Sequence, residues 1–224
     1  MTLPTRVSRR LLGAAACALI AAAAPAAALV VLTGAPASAQ ARRDAAAEQF
    51  VQTNAQRVLA VLNDRAMPQA QKRRTFETLV DQVTDVPKIT DFVLGKYNRT
   101  ITPAQKREFA VLFRDFANNV YESRLGEYGG ERLVVTGSTI RTPGDVIVAS
   151  RVQGGQLKQP NIVNWRVLKG ADGRWKAVDV QVQGVWLAIT QQQDFVSTID
   201  NAGGNIDVLI TQLRGQVAQQ SRGG

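Results

Sequence analysis

The feature that most constrains this chain is a change of hydrophobic period near Glu131. Before that point apolar residues recur at helical spacing; after it they alternate, and after Gly184 the helical spacing returns. A helix buries a stripe and a strand buries every second residue, so helices, then strands, then helices predict an α+β fold. The expected architecture is a twisted antiparallel sheet of about four strands, covered on one face by N-terminal and C-terminal helices. What lies between sheet and helices is either a packed core or an apolar cavity for a ligand.

The helical elements have readable ends. Ala45 to Leu62 carries Phe50, Val51, Val58, Leu59 and Leu62 near helical spacing. Pro68 opens a second helix with Phe76, Leu79, Val80 and Val83, and Val86-Pro87 opens a short third one that stops at Gly95. The clearest helix runs from Thr102 to about Leu125. Thr102, Pro103 and Gln105 make a capping box with proline at the first helical position. Phe109, Leu112, Phe113, Phe116 and Val120 then form one wide apolar stripe. Past Glu131, four runs rich in β-branched and aromatic residues are separated by Pro143-Gly144-Asp145, Gly154-Gly155 and Gly170-Ala171-Asp172-Gly173, which predicts a meander. Phe195, Ile199, Val208, Leu209 and Leu213 carry the last helical pattern to about Val217.

Residues 1–39 differ from the rest. Arg6, Arg9 and Arg10 precede an apolar run from Leu11 to Leu32, and Ala37-Ser38-Ala39 follows. A basic start, an apolar centre and a small-x-small site in that order predict a secretory signal peptide cleaved after Ala39. Ser8-Arg9-Arg10-Leu11-Leu12 resembles a twin-arginine motif, so the export route stays open, as does an uncleaved anchor. The expected organisation is a signal peptide 1–39, one domain 40–218 and a polar tail 219–224. Cys17 is the chain's one cysteine and lies in the leader, so export to the periplasm meets no thiol in the mature chain.

Composition excludes much chemistry. The chain has no histidine, which removes Ser-His and Cys-His dyads and the commonest metal ligand. No serine sits in a G-x-S-x-G elbow, and no glycine-rich phosphate loop precedes a helix. Asp179, among apolar neighbours in a strand, is the one candidate catalytic carboxylate; its other reading is a structural hydrogen bond. The net charge of +9 falls to +6 without the three leader arginines. Basic residues are dispersed, with Lys72-Arg73-Arg74 the one cluster, which argues against nucleic acid and leaves solubility or attraction to anionic lipid or an acidic partner. No cofactor and no metal is expected, and no enzymatic activity.

Several blocks together carry a family resemblance. Phe92-Val93-Leu94-Gly95-Lys96-Tyr97, then Thr102 to Phe109 with Phe113, then Tyr121-Glu122-Ser123-Arg124-Leu125 with Tyr128, resemble the MlaC family. So do Gly173 to Val180, Gly184-Val185, and Phe195 with Leu209 to Leu213, in the family's order over residues 50–215. The resemblance implies a non-enzymatic periplasmic carrier holding phospholipid, or another membrane lipid, as cargo. Its implied partners are an outer-membrane lipoprotein complex and an inner-membrane ABC transporter with an MCE-domain subunit, in the upkeep of outer-membrane lipid asymmetry. Hopanoid-associated relatives of the family, and an adaptor of the same fold with a filled core, stand as alternatives. The chain departs from the family at Gly184-Val185-Trp186-Leu187 and at Gln191 to Phe195, which bears on the head group accepted.

The expected lipid-binding residues follow. On the helical side they are Val93, Leu94, Tyr97, Phe109, Leu112, Phe113 and Phe116, with Leu94 and Tyr97 at a mouth beside Gly95. On the sheet side, alternation puts Val163, Trp165 and Val167 inward with Val146, Val148 and Val152, because Asn164 and Arg166 are costly to bury. Trp186 is added as a residue able to narrow the mouth. Trp175 is out of phase with Val178, Val180 and Val182, which calls for a bulge.

Overall fold

The computed structural model describes residues 43–122, 130–155 and 157–220. The expected signal peptide 1–39 with its cleavage site, the helix end at Leu125, Tyr128, and residues 221–224 of the tail lie outside the described residues. Among the described residues, six α-helices and five strands follow in the predicted order of helices, strands and helices: α1 (Ala45–Asn63), α2 (Gln69–Val83), α3 (Val86–Val93), α4 (Pro103–Glu122), β1 (Glu131–Thr142), β2 (Asp145–Gly154), β3 (Asn161–Lys169), β4 (Trp175–Val182), β5 (Val185–Trp186), α5 (Leu187–Asn201) and α6 (Ile206–Gln220). A 3-10 turn, Gly95–Arg99, joins α3 to α4. Gln219 and Gln220 therefore continue α6 rather than beginning a tail. No described helix is long and apolar enough to cross a membrane.

Local chemistry sets the helix ends. Asp44 caps α1 by accepting from the Ala47 amide at 2.9 Å, and Asp85 caps α3 through the Lys88 amide at 3.1 Å. At α4 the capping box closes both ways: Gln105 N donates to Thr102 Oγ1 at 3.2 Å, and Thr102 N donates to Gln105 Oε1 at 3.1 Å. Gly95 follows α3 with φ +54, and a Cβ there would meet Val196 Cγ2 at 2.8 Å. Only glycine suits both the backbone and the space.

The sheet is antiparallel, with strands in chain order. It has five strands where about four were expected. The extra one is two residues long, too short to show a period, and it returns through Gln183 (φ 50) and Gly184 (φ 86). Positive φ at both central residues is the hairpin geometry that matches strand twist. The bulge demanded by Trp175 lies in β4: Arg166 faces Asp179 while Val167 faces Ala177, leaving Val178 extra. Trp175 and Ala177 thereby share a face with Val180 and Val182.

Helices reach the sheet from both sides, a refinement of the one-face expectation. Val146, Val148, Val167 and Ala177 form a core with Ala47 and Val51 of α1, which defines the inner face. Arg166 and Asp179 point to the outer face, and there Asp179 Oδ1 accepts from the Ala188 amide in the first turn of α5. α1 also lies along the free edge of β1. Gln52 Nε2 donates to the Leu133 carbonyl at 3.0 Å, and Gln52 Oε1 accepts from the Val135 amide at 2.9 Å. Asn63 does the same for Glu131 O and Gly130 N at 3.1 and 2.9 Å. Two side-chain amides thus stand where another strand's backbone would pair.

The basic cluster is not a free surface patch. Lys72 is buried, and its Nζ donates to the Leu62 carbonyl in the last turn of α1 at 3.0 Å. A cation there complements the carbonyl end of the helix, so Lys72 holds α2 against α1.

Candidate functional site

The expected site residues fall into two separate clusters. On the sheet, Val146, Val148 and Val167 are fully buried, Val163 is buried, and Val152 and Trp165 are half-buried on the same inner face. Buried Ser150 on this face is fully engaged. Its Oγ donates to the Val163 carbonyl at 2.8 Å and accepts from Trp165 Nε1 at 2.9 Å, which fixes the indole.

The helical set packs elsewhere. Val93, Leu94, Phe109 and Phe113 belong to a core with Phe195, Ile199, Leu209 and Leu213 of α5 and α6. The Phe109 and Phe113 rings lie parallel, 5.8 Å between centroids, and Phe195 meets both edge-on at 5.6 and 5.9 Å. The α4 stripe therefore faces α6 and α5, not the sheet. Leu94 is core rather than mouth. Tyr97, Leu112 and Phe116 flank that core half-buried. The Tyr97 hydroxyl donates to Asp200, which also pairs with Lys96 at 2.7 Å. These two partners hold the Asp200 carboxyl below its ordinary range. Trp186 sits across from Gln181 on the outer face and joins neither cluster.

The inner face is covered unevenly. α1 closes its β1–β2 half. Over β3 and β4, Val163, Val167 and Ala177 are buried, whereas Trp165, Val180 and Val182 on the same face remain half-buried. Trp165 and Val152 lie against a further core formed by Ala55, Leu59 and Leu62 of α1, Phe76 of α2 and Leu133, with Val80 at its margin. α4 is tied to α2 by an ion pair between Arg114 and Asp81 rather than by close packing. The arrangement is an apolar sheet face with a helical wall, partly uncovered at Trp165, Val180 and Val182. Val180, Val182, Phe76 and Val80 were missing from the expected site. The β4 bulge hid the parity of Val180 and Val182, and nothing in an apolar helix pattern says which strand it will face.

Two other depressions have different chemistry. A groove of about 750 Å³ lies where α2 passes into α3, opposite the β3–β4 turn. Its charged walls are internally engaged: Asp81 with Arg114, Asp85 with Lys88, and Lys176 with the Gln82 carbonyl. On the outer face, a cavity of about 160 Å³ lies between Ile89 and Phe92 of α3 and Leu168 and Val178 of the sheet. That is below the roughly 300–1,000 Å³ of sites that enclose a drug-sized ligand.

Asp179, the one candidate catalytic carboxylate, is an anchor. Its Oδ1 accepts from the Val180 and Ala188 amides, both at 2.8 Å. The Trp186 N-cap of α5 offers no side-chain acceptor, so Asp179 supplies one from the neighbouring strand. Burial raises its pKa, against the pull of the amides and of Arg166. No cluster of histidine, cysteine, aspartate or glutamate able to hold a metal occurs among the described residues.

The partly uncovered apolar face suits an apolar or amphipathic ligand. The sequence matches the family described as MlaC protein over residues 52–215, and the chain belongs to that family. A solved structure from Ralstonia solanacearum is similar, a phospholipid-binding protein in complex with a phospholipid at 1.53 Å resolution. It is 25% identical, covers 79% of this chain and 99% of its own, and superposes with a TM-score of 0.69.

Proposed function

We propose that this protein is a periplasmic lipid carrier, exported by residues 1–39, that holds phospholipid acyl chains against the partly uncovered region of the inner sheet face. It shuttles lipid between an outer-membrane lipoprotein complex and the MCE-domain subunit of an inner-membrane ABC transporter. The observation that carries this reading is the likeness, over nearly the whole of the other chain, to a protein with a phospholipid bound. Trp165, Val152, Val180 and Val182 offer the chains an apolar wall, and the head group stays at the solvent side.

The energetics suit a carrier rather than an enzyme. Each methylene moved out of water gains about 0.8 kcal/mol. A bilayer offers nearly the same gain, so carrier and membrane differ little and the lipid can be handed on without chemistry. Residues Lys96, Tyr97 and Asp200 are engaged with one another and are not counted as head-group ligands.

Native mass spectrometry of protein purified without detergent, with lipid extraction, tests the reading. A co-purified mass that extracts as phospholipid is the expected result. An adaptor with a filled core is the second reading, favoured by the fully buried Val146, Val148 and Val167 on the same face. It predicts bare protein in that spectrum and no uptake of added phospholipid.

A further inference from the structure

Deepening the carrier reading, on which it rests, we propose that the uncovered outer face of the sheet, at the end where β4 turns into β5, docks the protein on an anionic lipid bilayer. Val134 of β1, Arg151 of β2 and Ile162 of β3 are direct cross-strand neighbours on the face turned away from α1. Val134 is 45% exposed and Ile162 59%, unusual for branched aliphatics on a sheet. The exposed Arg151 stands between them, and the exposed Arg132 lies two residues before Val134 on the same face. The Gln183 amide donates to the Ile162 carbonyl at 3.5 Å, which brings the β4–β5 turn alongside. Just past that turn Trp186, opposite Gln181, lies half-buried on the same face.

Among the described residues the exposed charges on the outer face at this end are all positive. Neutral Ala149, Gln153, Asn164 and Gln181 surround the row, and the exposed Lys158 in the β2–β3 loop adds a further cation. Among the described residues no acid pairs with Arg132, Arg151 or Lys158. The acids on this face lie toward the other end and are engaged: Asp145 takes the Arg166 guanidinium at 3.1 and 3.0 Å, and Asp179 caps α5. Cations interleaved with branched aliphatics match the boundary layer of a membrane. Guanidinium groups meet phosphates while Ile162 and Val134 enter among the upper acyl methylenes. An acidic protein surface would satisfy the arginines and leave those aliphatics without an apolar counterpart. The site also explains how a carrier finds its cargo: it holds the molecule on the membrane while a lipid crosses to the inner face.

Co-sedimentation tests this, with vesicles of phosphatidylcholine alone and of phosphatidylcholine with phosphatidylglycerol. Wild-type protein is expected to bind the anionic vesicles, release with salt, and leave the neutral ones in solution. The double variant Arg132→Gln, Arg151→Gln should weaken binding about 25-fold, at roughly fivefold per cation. The pair Val134→Ser, Ile162→Ser should weaken it with the salt dependence retained. Both variants should melt as wild type does, since all four side chains are exposed, and should keep whatever lipid co-purifies. Variants that bind as wild type does, equal binding to both vesicles, or effects seen only with a protein partner overturn the proposal. Co-purified lipid without vesicle binding sinks the docking face and spares the carrier. Vesicle binding with no lipid in the mass spectrum does the reverse.

Discussion

Asp179 and Lys72 show how single buried polar residues set the frame of this molecule. Asp179 joins β4 to α5 through two amides, and its burial raises its pKa above the ordinary 3.8. An acid with a raised folded pKa contributes stability that is complete below its unfolded value and is lost as pH rises through the folded one. Asp179→Asn keeps an acceptor and cannot ionise. Its melting temperature relative to wild type should therefore rise from about pH 4 to about pH 7. Asp179→Ala leaves the Ala188 amide without its acceptor and should cost about 1–2 kcal/mol at either pH. Thermal melts at the two pH values check both. Lys72 donates to the last turn of α1 from a buried position. Lys72→Glu puts a carboxylate against that carbonyl and should cost about 3 kcal/mol or more, seen as a shift of the urea midpoint.

At the scale of elements, α1 both covers the inner face and closes the sheet's first edge. Gln52 satisfies a carbonyl and an amide of β1 that a neighbouring strand would otherwise pair. Gln52→Leu has nearly the same size and no hydrogen-bonding atoms. It should lower stability by about 1–2 kcal/mol and leave an open edge. Size-exclusion chromatography at rising concentration should then show self-association that wild type lacks. A monomer at every concentration would mean that the covering bulk of α1 protects the edge without the amide.

For the whole molecule, the decisive fact is that one sheet face is covered unevenly. Val148 is fully buried against Ala47 and Val51, whereas Val180 on the same face is half-buried beside Trp165. A tryptophan at Val148 overpacks a closed core and should cost about 1–3 kcal/mol. A tryptophan at Val180 enters the partly uncovered region, so the lipid-free protein should melt close to wild type. If lipid lies there, Val180→Trp should lose co-purified phospholipid in native mass spectrometry while Val148→Trp loses stability. Loss of stability in both, with lipid retained by Val180→Trp, would place the cargo elsewhere.

The sequence by itself determined the order of helices, strands and helices, and every strand but the two-residue β5. The change of period at Glu131, the Thr102–Gln105 capping box, the Gly95 stop and the β4 bulge are local signals, fixed by backbone sterics and by which side chains can cap a helix. Alternation also separated the two faces of β3, because Asn164 and Arg166 cannot share the buried side with Val163 and Val167 at low cost. Partner choice was decided only in three dimensions. The α4 stripe required some apolar neighbour, and α5 and α6 satisfy that requirement as well as a sheet would. Apolar burial has no direction, so periodicity names the face to be covered and not what covers it. The fifth strand rests on a two-residue turn with positive φ at Gln183, and its two residues have no period to detect. Lys72 looked like surface charge because its partner is a backbone carbonyl on another helix, which no residue letter reveals.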